Sequence, residues 1–210
     1  MLELIRKLLD WLKSLQTPTQ NETVTQPALV AWIGLEAFRK ATGLSASRAQ
    51  DWYPHVRAAC LEFNITAPVR LAAFLAQVGH ESGGFVYTRE IWGPTEAQKR
   101  YEGRKDLGNT EPGDGSRFRG RGLIQITGRA NYTAVARALG IDCVSRPELL
   151  ERPEFAARAS AWWWANRGCN ELADAGDFVA LTKRVNGGVN GLADRLERWE
   201  RATLALGGGQ

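Results

Sequence analysis

Scarcity narrows the reading of this sequence before any motif does. It has three cysteines, Cys60, Cys143 and Cys169, an odd number without C-x-x-C spacing. That argues against a zinc module and against a full disulfide framework, and leaves room for one Cys143–Cys169 bridge. Its two histidines, His55 and His80, are too few for the ligand sets of zinc amidases, so a mechanism without metal or other cofactor is expected. No stretch approaches the roughly 20 apolar residues that cross a bilayer. Charge of one sign is not concentrated either: 27 Lys and Arg face 23 Asp and Glu, a formal balance of +4 with no basic stripe. This mild basicity fits an anionic surface and does not indicate nucleic acid. No internal repeat recurs at a fixed period, which sets aside solenoids and propellers. An export signal is also absent from the first residues, because Glu3, Arg6, Lys7, Asp10 and Lys13 interrupt the apolar run that a signal peptide needs. Synthesis in the cytoplasm without an ordinary export signal is therefore expected.

What is present suits a globular chain. At 210 residues, 44% hydrophobic and 24% charged, it can bury a core in one domain plus an extension. Residues 1–16 place Leu2, Ile5, Leu8, Leu9, Leu12 and Leu15 at three- and four-residue intervals, the pattern of an amphipathic helix. Such a helix needs an apolar partner, either the rest of the chain, a neighbouring copy or a membrane surface. Residues 17–27, rich in Thr, Gln, Asn and Pro, read as a linker, and 28–210 as the main domain. Helical patterning covers 28–42, 47–64, 67–82, 130–139, 153–167, 177–185 and 192–206, so the domain is expected to be mainly α. Between 83 and 128 the pattern gives way to a long Gly-, Pro- and Arg-rich segment, and loops of that length inside a compact domain are usually functional.

Two glutamates bracket the start of that segment. Thr66 is placed to cap the helix over 67–82, Pro68 suits its first turn, and Leu71, Leu75 and Val78 form its apolar stripe. Gly83 and Gly84 then stop it. Glu81 projects from the edge of the stripe in the last turn, where desolvation and the negative end of the helix dipole both disfavour its charge, so a raised pKa is expected. A general acid needs that property. Glu90 follows nine residues later, and the glycine pair permits the chain to carry it back across the helix end. Inverting glycosidases hold their two carboxylates about 6.5–9.5 Å apart to admit the attacking water. Taken alone, however, most glutamate pairs at such a spacing are solvated surface charges.

The string Gln77-Val78-Gly79-His80-Glu81-Ser82-Gly83-Gly84-Phe85, followed by Glu90, resembles the first catalytic motif of family 19 glycoside hydrolases, especially the compact endolysins of phages and prophages. Downstream, Pro112-Gly113-Asp114-Gly115 and Arg119-Gly120-Arg121-Gly122-Leu123-Ile124-Gln125-Ile126-Thr127 are similar to the family's glycine-arginine-glycine signature. Asn131, Asn186-Gly187-Gly188 and Ala193-Asp194-Arg195 resemble its later cleft elements. Leu123 stands where plant members usually have proline, and the interval from Glu81 to Glu90 is shorter than theirs. The resemblance implies a lysozyme-like helical domain with a long catalytic loop region. It implies Glu81 as general acid, Glu90 as general base and Thr127 as a holder of the attacking water, with Gln125, Asn131, Asn186 and Arg195 binding sugar or bracing the carboxylates. Arg121, between two glycines, is a candidate to bind sugar, with a solvated loop charge or a structural brace for a carboxylate as the alternatives. Glu102 is the reserve base and Glu96 a more distant one.

Trp92 and Tyr101, in the loop segment, are candidates to stack on a sugar ring. Trp162, Trp163 and Trp164 are consecutive on a predicted helix and point about 100° apart, which suits core packing and not a single platform. Cys60, among Val56, Ala59 and Phe63, reads as a small buried residue, so a Cys60–His80 peptidase is a poor reading. His80 is placed either to tune Glu81 or simply to make a helix-end hydrogen bond. The expected activity is hydrolysis of β-1,4 bonds in bacterial peptidoglycan by a monomer that reaches the wall after the membrane is permeabilised, ending in lysis of the host cell. A chitinase, a lytic transglycosylase and a non-catalytic wall-binding protein are the alternatives.

Overall fold

The computed structural model describes residues 32–207; the expected helix over 1–16 and the linker over 17–27 lie outside the described residues. The helices are α1 (Leu35–Thr42), α2 (Ala46–Glu62), α3 (Pro68–Glu81), α4 (Glu96–Lys99), α5 (Asp114–Arg117), α6 (Arg129–Leu139), α7 (Pro153–Asn166), α8 (Cys169–Asp174), α9 (Phe178–Asn186) and α10 (Leu192–Gly207), with 3₁₀ turns at Lys105–Leu107 and Pro147–Glu151. Among the described residues there is no strand of β-sheet, only the isolated bridges Arg89 to Arg121 and Arg121 to Ile126. None of these helices is long and apolar enough to cross a membrane.

The centre of the molecule is α3. Its nine consecutive residues from Leu71 to Gly79 are buried, so it is enclosed all round, where the sequence suggested a one-sided stripe. α10 packs along it and also reaches α1, while α2 lies against α7. Pro68 occupies the first turn as expected, but the N-cap is Ala67, without a side-chain cap. The Thr66 hydroxyl instead meets the Asn64 side chain at 3.4 Å.

The core has two lobes. One gathers Phe38, Trp52, Phe74, Trp164 and Trp199 with the residues of α3, and the other gathers Phe118, Ile126, Tyr132, Val135 and Leu150 around α6. The three tryptophans of α7 divide between them as their angular spacing requires: Trp164 is in the first lobe, Trp162 packs on the second, and Trp163 touches both. Trp164 also donates from Nε1 to Asn170 Oδ1 at 2.9 Å, which satisfies its buried donor. All three cysteines are free thiols and buried, so Cys143 and Cys169 do not pair. Burial alone pushes the Cys60 thiol well above its ordinary value, as a packing residue and not a nucleophile requires.

Candidate active site

α3 ends in an unusual turn. Gly83, Gly84 and Phe85 have φ of 58°, 75° and 61°, three successive left-handed residues, of which only Phe85 carries a steric cost. Its ring is seated against Trp52 at 5.4 Å and Phe38 at 6.3 Å between centroids. Ser82 ties the turn down: its hydroxyl donates to Val78 O at 2.6 Å and accepts from Phe85 N at 2.8 Å. The amides of Val86 and Tyr87 both return to Ser82 O. The strip that carries Glu90 therefore starts by folding back on the end of the helix that carries Glu81.

Glu81, with 18% of its side chain exposed, is ion-paired through Oε1 to Arg195 Nη2. Arg195 is fully buried, and its other donors go to Gln77 Oε1 and to Asn190 O. Gln77, itself fully buried, donates in turn to Thr182 Oγ1 at 2.8 Å, and Thr182 donates to Phe178 O. A continuous polar chain thus crosses the apolar core from α9 through α3 to α10 and ends on Glu81. Arg195 is occupied in holding the carboxylate and does not offer its guanidinium to a sugar. The apolar surroundings expected for Glu81 hold only in part, because this cation faces it. Its neighbour His80 shares Asp194 Oδ2 with Arg198, at 2.6 and 2.7 Å. The imidazole lies directly beneath Gly191, where a Cβ would fall 2.2 Å from His80 Cε1.

Glu90 is held differently. Its Oε1 accepts from Gln98 Nε2 at 3.0 Å and from the Tyr101 hydroxyl at 3.4 Å, and its Oε2 from Gly120 N at 3.1 Å. Its backbone N–H donates to Gly120 O at 2.8 Å. Burial, then the Glu90 charge, raises the Tyr101 pKa, which keeps the phenol a donor. Gln98 was not singled out in the sequence, although it closes a capping box with Thr95 that starts α4. Its Oε1 accepts from Gly93 and Thr95 N, and Nε2 also donates to Ile91 O, so its orientation is fully fixed. The signal was the spacing Thr95-x-x-Gln98.

The glycine-arginine-glycine segment closes on the same carboxylate. A Cβ on Gly120 would lie 2.7 Å from Gln125 Oε1 and 3.4 Å from Glu90 Cβ, so Gln125 and Glu90 meet over this glycine. The Thr127 hydroxyl donates to Gln125 O at 2.9 Å, which leaves its lone pairs to accept from a water. Asn131 donates from Nδ2 to Thr127 O at 2.7 Å. Arg121 points elsewhere: it is buried, and binds Glu151 Oε1 at 2.7 Å, Arg117 O at 2.7 Å and the Tyr132 hydroxyl at 3.0 Å. It braces the segment from behind. Asn186 ends α9 in an exposed position, outside the contacts of either carboxylate.

Of the two reserve carboxylates, Glu102 clasps the amides of Gly113 and Gly115 at 2.6 and 2.9 Å, at the start of α5. Glu96 pairs with Lys99 on the surface. Both are engaged in local structure. A cavity of about 450 Å³ opens beside Glu90, lined by Arg89, Ile91, Trp92, Arg119 and Glu151 among others. Trp92 lies 6.1 Å from Tyr101, tilted by 41°, and the Arg119 guanidinium sits 5.3 Å above its ring. No group of His, Cys, Asp or Glu able to hold a metal ion occurs among the described residues.

The sequence model described as class I chitinase, the glycoside hydrolase 19 domain, matches residues 62–179, which run from the end of α2 through both carboxylates to the start of α9. This chain belongs to glycoside hydrolase family 19. A family 19 domain-containing protein of Haemophilus influenzae is 36% identical over 152 residues, 59% of this chain and 74% of that protein. An endochitinase of Arabidopsis thaliana is 38% identical over 119 residues, 56% of this chain but 39% of its own length. Among solved structures, chitinase C from Streptomyces griseus superposes with a TM-score of 0.68 at 23% identity, covering 91% of this chain and 84% of that one. That likeness carries the fold. The protein is a glycoside hydrolase.

Proposed function

We propose that this family 19 enzyme hydrolyses β-1,4 bonds between the N-acetylated amino sugars of bacterial peptidoglycan by single displacement with inversion. Glu81 protonates the leaving glycosidic oxygen and Glu90 draws the proton from the attacking water. The observation that carries this reading is the contrast between the two carboxylates. One ends a buried helix on a buried cation; the other sits in the loop wall under three donors, beside the open cavity and across Gly120 from Gln125, whose backbone carbonyl receives the Thr127 hydroxyl. Peptidoglycan in place of chitin is supported by the motif resemblance to compact endolysins and by the +4 balance of the chain, since the wall polymer is anionic and chitin is neutral.

Digestion of purified peptidoglycan and colloidal chitin side by side tests the substrate. Release of soluble peptidoglycan fragments with new reducing ends and an inverted anomer is the expected result. Anhydro ends in the products would replace hydrolysis by lytic transglycosylation. Cleavage of chitin alone would leave a chitinase, the second reading, which the resemblance to a plant endochitinase favours.

We further infer a lysis role for a phage or prophage product, made in the cytoplasm and admitted to the wall once a separate protein has permeabilised the membrane. Loss of turbidity of outer-membrane-permeabilised Gram-negative cells is its readout.

A further inference from the structure

Arg119 has an unusual position in the wall beside Glu90. Among the described residues its guanidinium makes no hydrogen bond or ion pair, and its Nε is buried without a partner. It lies over the Trp92 ring, 5.3 Å from its centroid. Its backbone, by contrast, is pinned, because the Tyr132 hydroxyl donates to Arg119 O at 2.7 Å. A half-buried guanidinium that is placed but unused is costly unless something else satisfies it.

The neighbouring charges sharpen this. Arg89, 57% exposed at its side chain, lines the same cavity. Glu151, the acid opposite, is already held by Arg121 at 2.7 Å, with Arg89 at 3.5 Å. Glu90 is turned to Gln98, Tyr101 and Gly120. Burial, and then the charges of Arg121 and Arg89, lower the Arg119 pKa, and the Glu151 charge offsets them only in part. Val86, Tyr87 and Ile91 extend the wall and are 47%, 49% and 73% exposed. The cavity thus combines an aromatic and aliphatic rim with a surplus cation, immediately beside Glu90.

We propose that Arg119, assisted by Arg89, forms a subsite for a carboxylate borne by the glycan strand. The inference rests on the peptidoglycan reading above and deepens it. Chitin presents no such group. Peptidoglycan has two sources of it: the lactyl ether of a muramic acid whose peptide has been removed, and the side-chain and terminal carboxylates of the stem peptide. A guanidinium stacked on an indole is suited to this ligand, because the ring fixes its plane and leaves its edge to a planar anion.

The test uses the intact chain and three ligands, each with sulfur in place of the glycosidic oxygen so that its β-1,4 link is not cut: chitobiose, the N-acetylglucosamine–N-acetylmuramic acid disaccharide with a free lactyl carboxylate, and the same disaccharide carrying a stem peptide. Binding of each to the wild type and to Arg119→Gln is followed by NMR titration. The wild type is expected to prefer at least one carboxylate ligand over chitobiose, and that preference should fall about tenfold in Arg119→Gln, the scale of one charge-assisted hydrogen bond. Arg119→Lys should keep part of it, and added salt should shrink it. Which disaccharide shows the preference identifies the source of the carboxylate. Equal binding of all three ligands by the wild type overturns the subsite, and so does an equal change for all three in Arg119→Gln. Because binding is read without turnover, failure of the peptidoglycan reading would appear separately, as chitin-only digestion by the same preparation.

Discussion

The two carboxylates of this enzyme are supported by opposite kinds of structure. Glu81 depends on Arg195, 114 positions away, which depends on Gln77 at a separation of 118, itself bonded to Thr182 at 105. Glu90 is held by Gln98, Tyr101 and Gly120, only 8, 11 and 30 positions away. The first carboxylate is fixed by the assembly of the helical core, the second by a local loop weave with short helices. A defect at the Glu81 end should therefore lower stability and activity together, whereas one at the Glu90 end should lower activity first.

The largest effects come from the carboxylates themselves. Glu81→Gln and Glu90→Gln are each expected to lose about 10²–10⁴ in kcat, measured as reducing ends released from peptidoglycan. An active Glu90→Gln enzyme would remove the two-carboxylate scheme. Arg195→Met comes next: it strands Glu81 and Gln77 without their cation, and should cost about 3–5 kcal/mol in stability along with most of the activity. Urea unfolding and turnover measured on the same sample check that coupling.

On the other side, Tyr101→Phe removes one of three donors from Glu90 through a hydroxyl whose one bond among the described residues is to that carboxylate, and should cost about 1 kcal/mol while lowering kcat clearly more than Tm. A drop in Tm as large as that of Arg195→Met would erase the contrast. Gly120→Ala is subtler. Its Cβ would meet Gln125 Oε1 at 2.7 Å, the mobile end of a side chain, so the amide swings away with little loss of stability and a measurable fall in kcat.

The smallest effect is in pH. Asp114 is buried, and Arg129, aided by the amides of Glu111 and Thr110, holds its carboxyl below the usual range. The folded value lies below the unfolded one of about 3.9, so this ion pair adds stability above that pH, and the contribution is lost as pH falls through the lowered value. Thermal unfolding from pH 7 to pH 3 should show an acid-side decline that Asp114→Asn flattens.

The main helices were legible because periodicity and glycine stops are local. The expected spans 47–64, 67–82, 153–167 and 192–206 meet helices at Ala46–Glu62, Pro68–Glu81, Pro153–Asn166 and Leu192–Gly207. The four-residue helices Glu96–Lys99 and Asp114–Arg117 are too short to show a period, so the segment from 83 to 128 read as loop where it is a bonded scaffold. The identities of Glu81, Glu90, Gln125 and Thr127 came from motif order. Their partners did not, because the pairing of Gln77 with Arg195 is set by how α3 and α10 cross. One trace of it was visible: Gln77 is a polar residue among Phe74, Leu75 and Val78, and a buried amide needs a partner somewhere. Which of its expected roles Arg121 takes was not legible, since a guanidinium in a cleft motif and one behind it look alike in sequence.

Gln125 carries a last consequence. Among the described residues it is one of three non-glycine residues in the left-handed region, with φ of 55°, a conformation that costs such a residue on the order of 1 kcal/mol or more. Its amide donates to Gly122 O at 3.0 Å and its carbonyl receives the Thr127 hydroxyl. A glycine would be more comfortable there and would surrender the amide beside Glu90. Backbone ease at this position and an amide over Gly120 therefore exclude one another, and the chain carries the strained alternative at the wall of its own cleft.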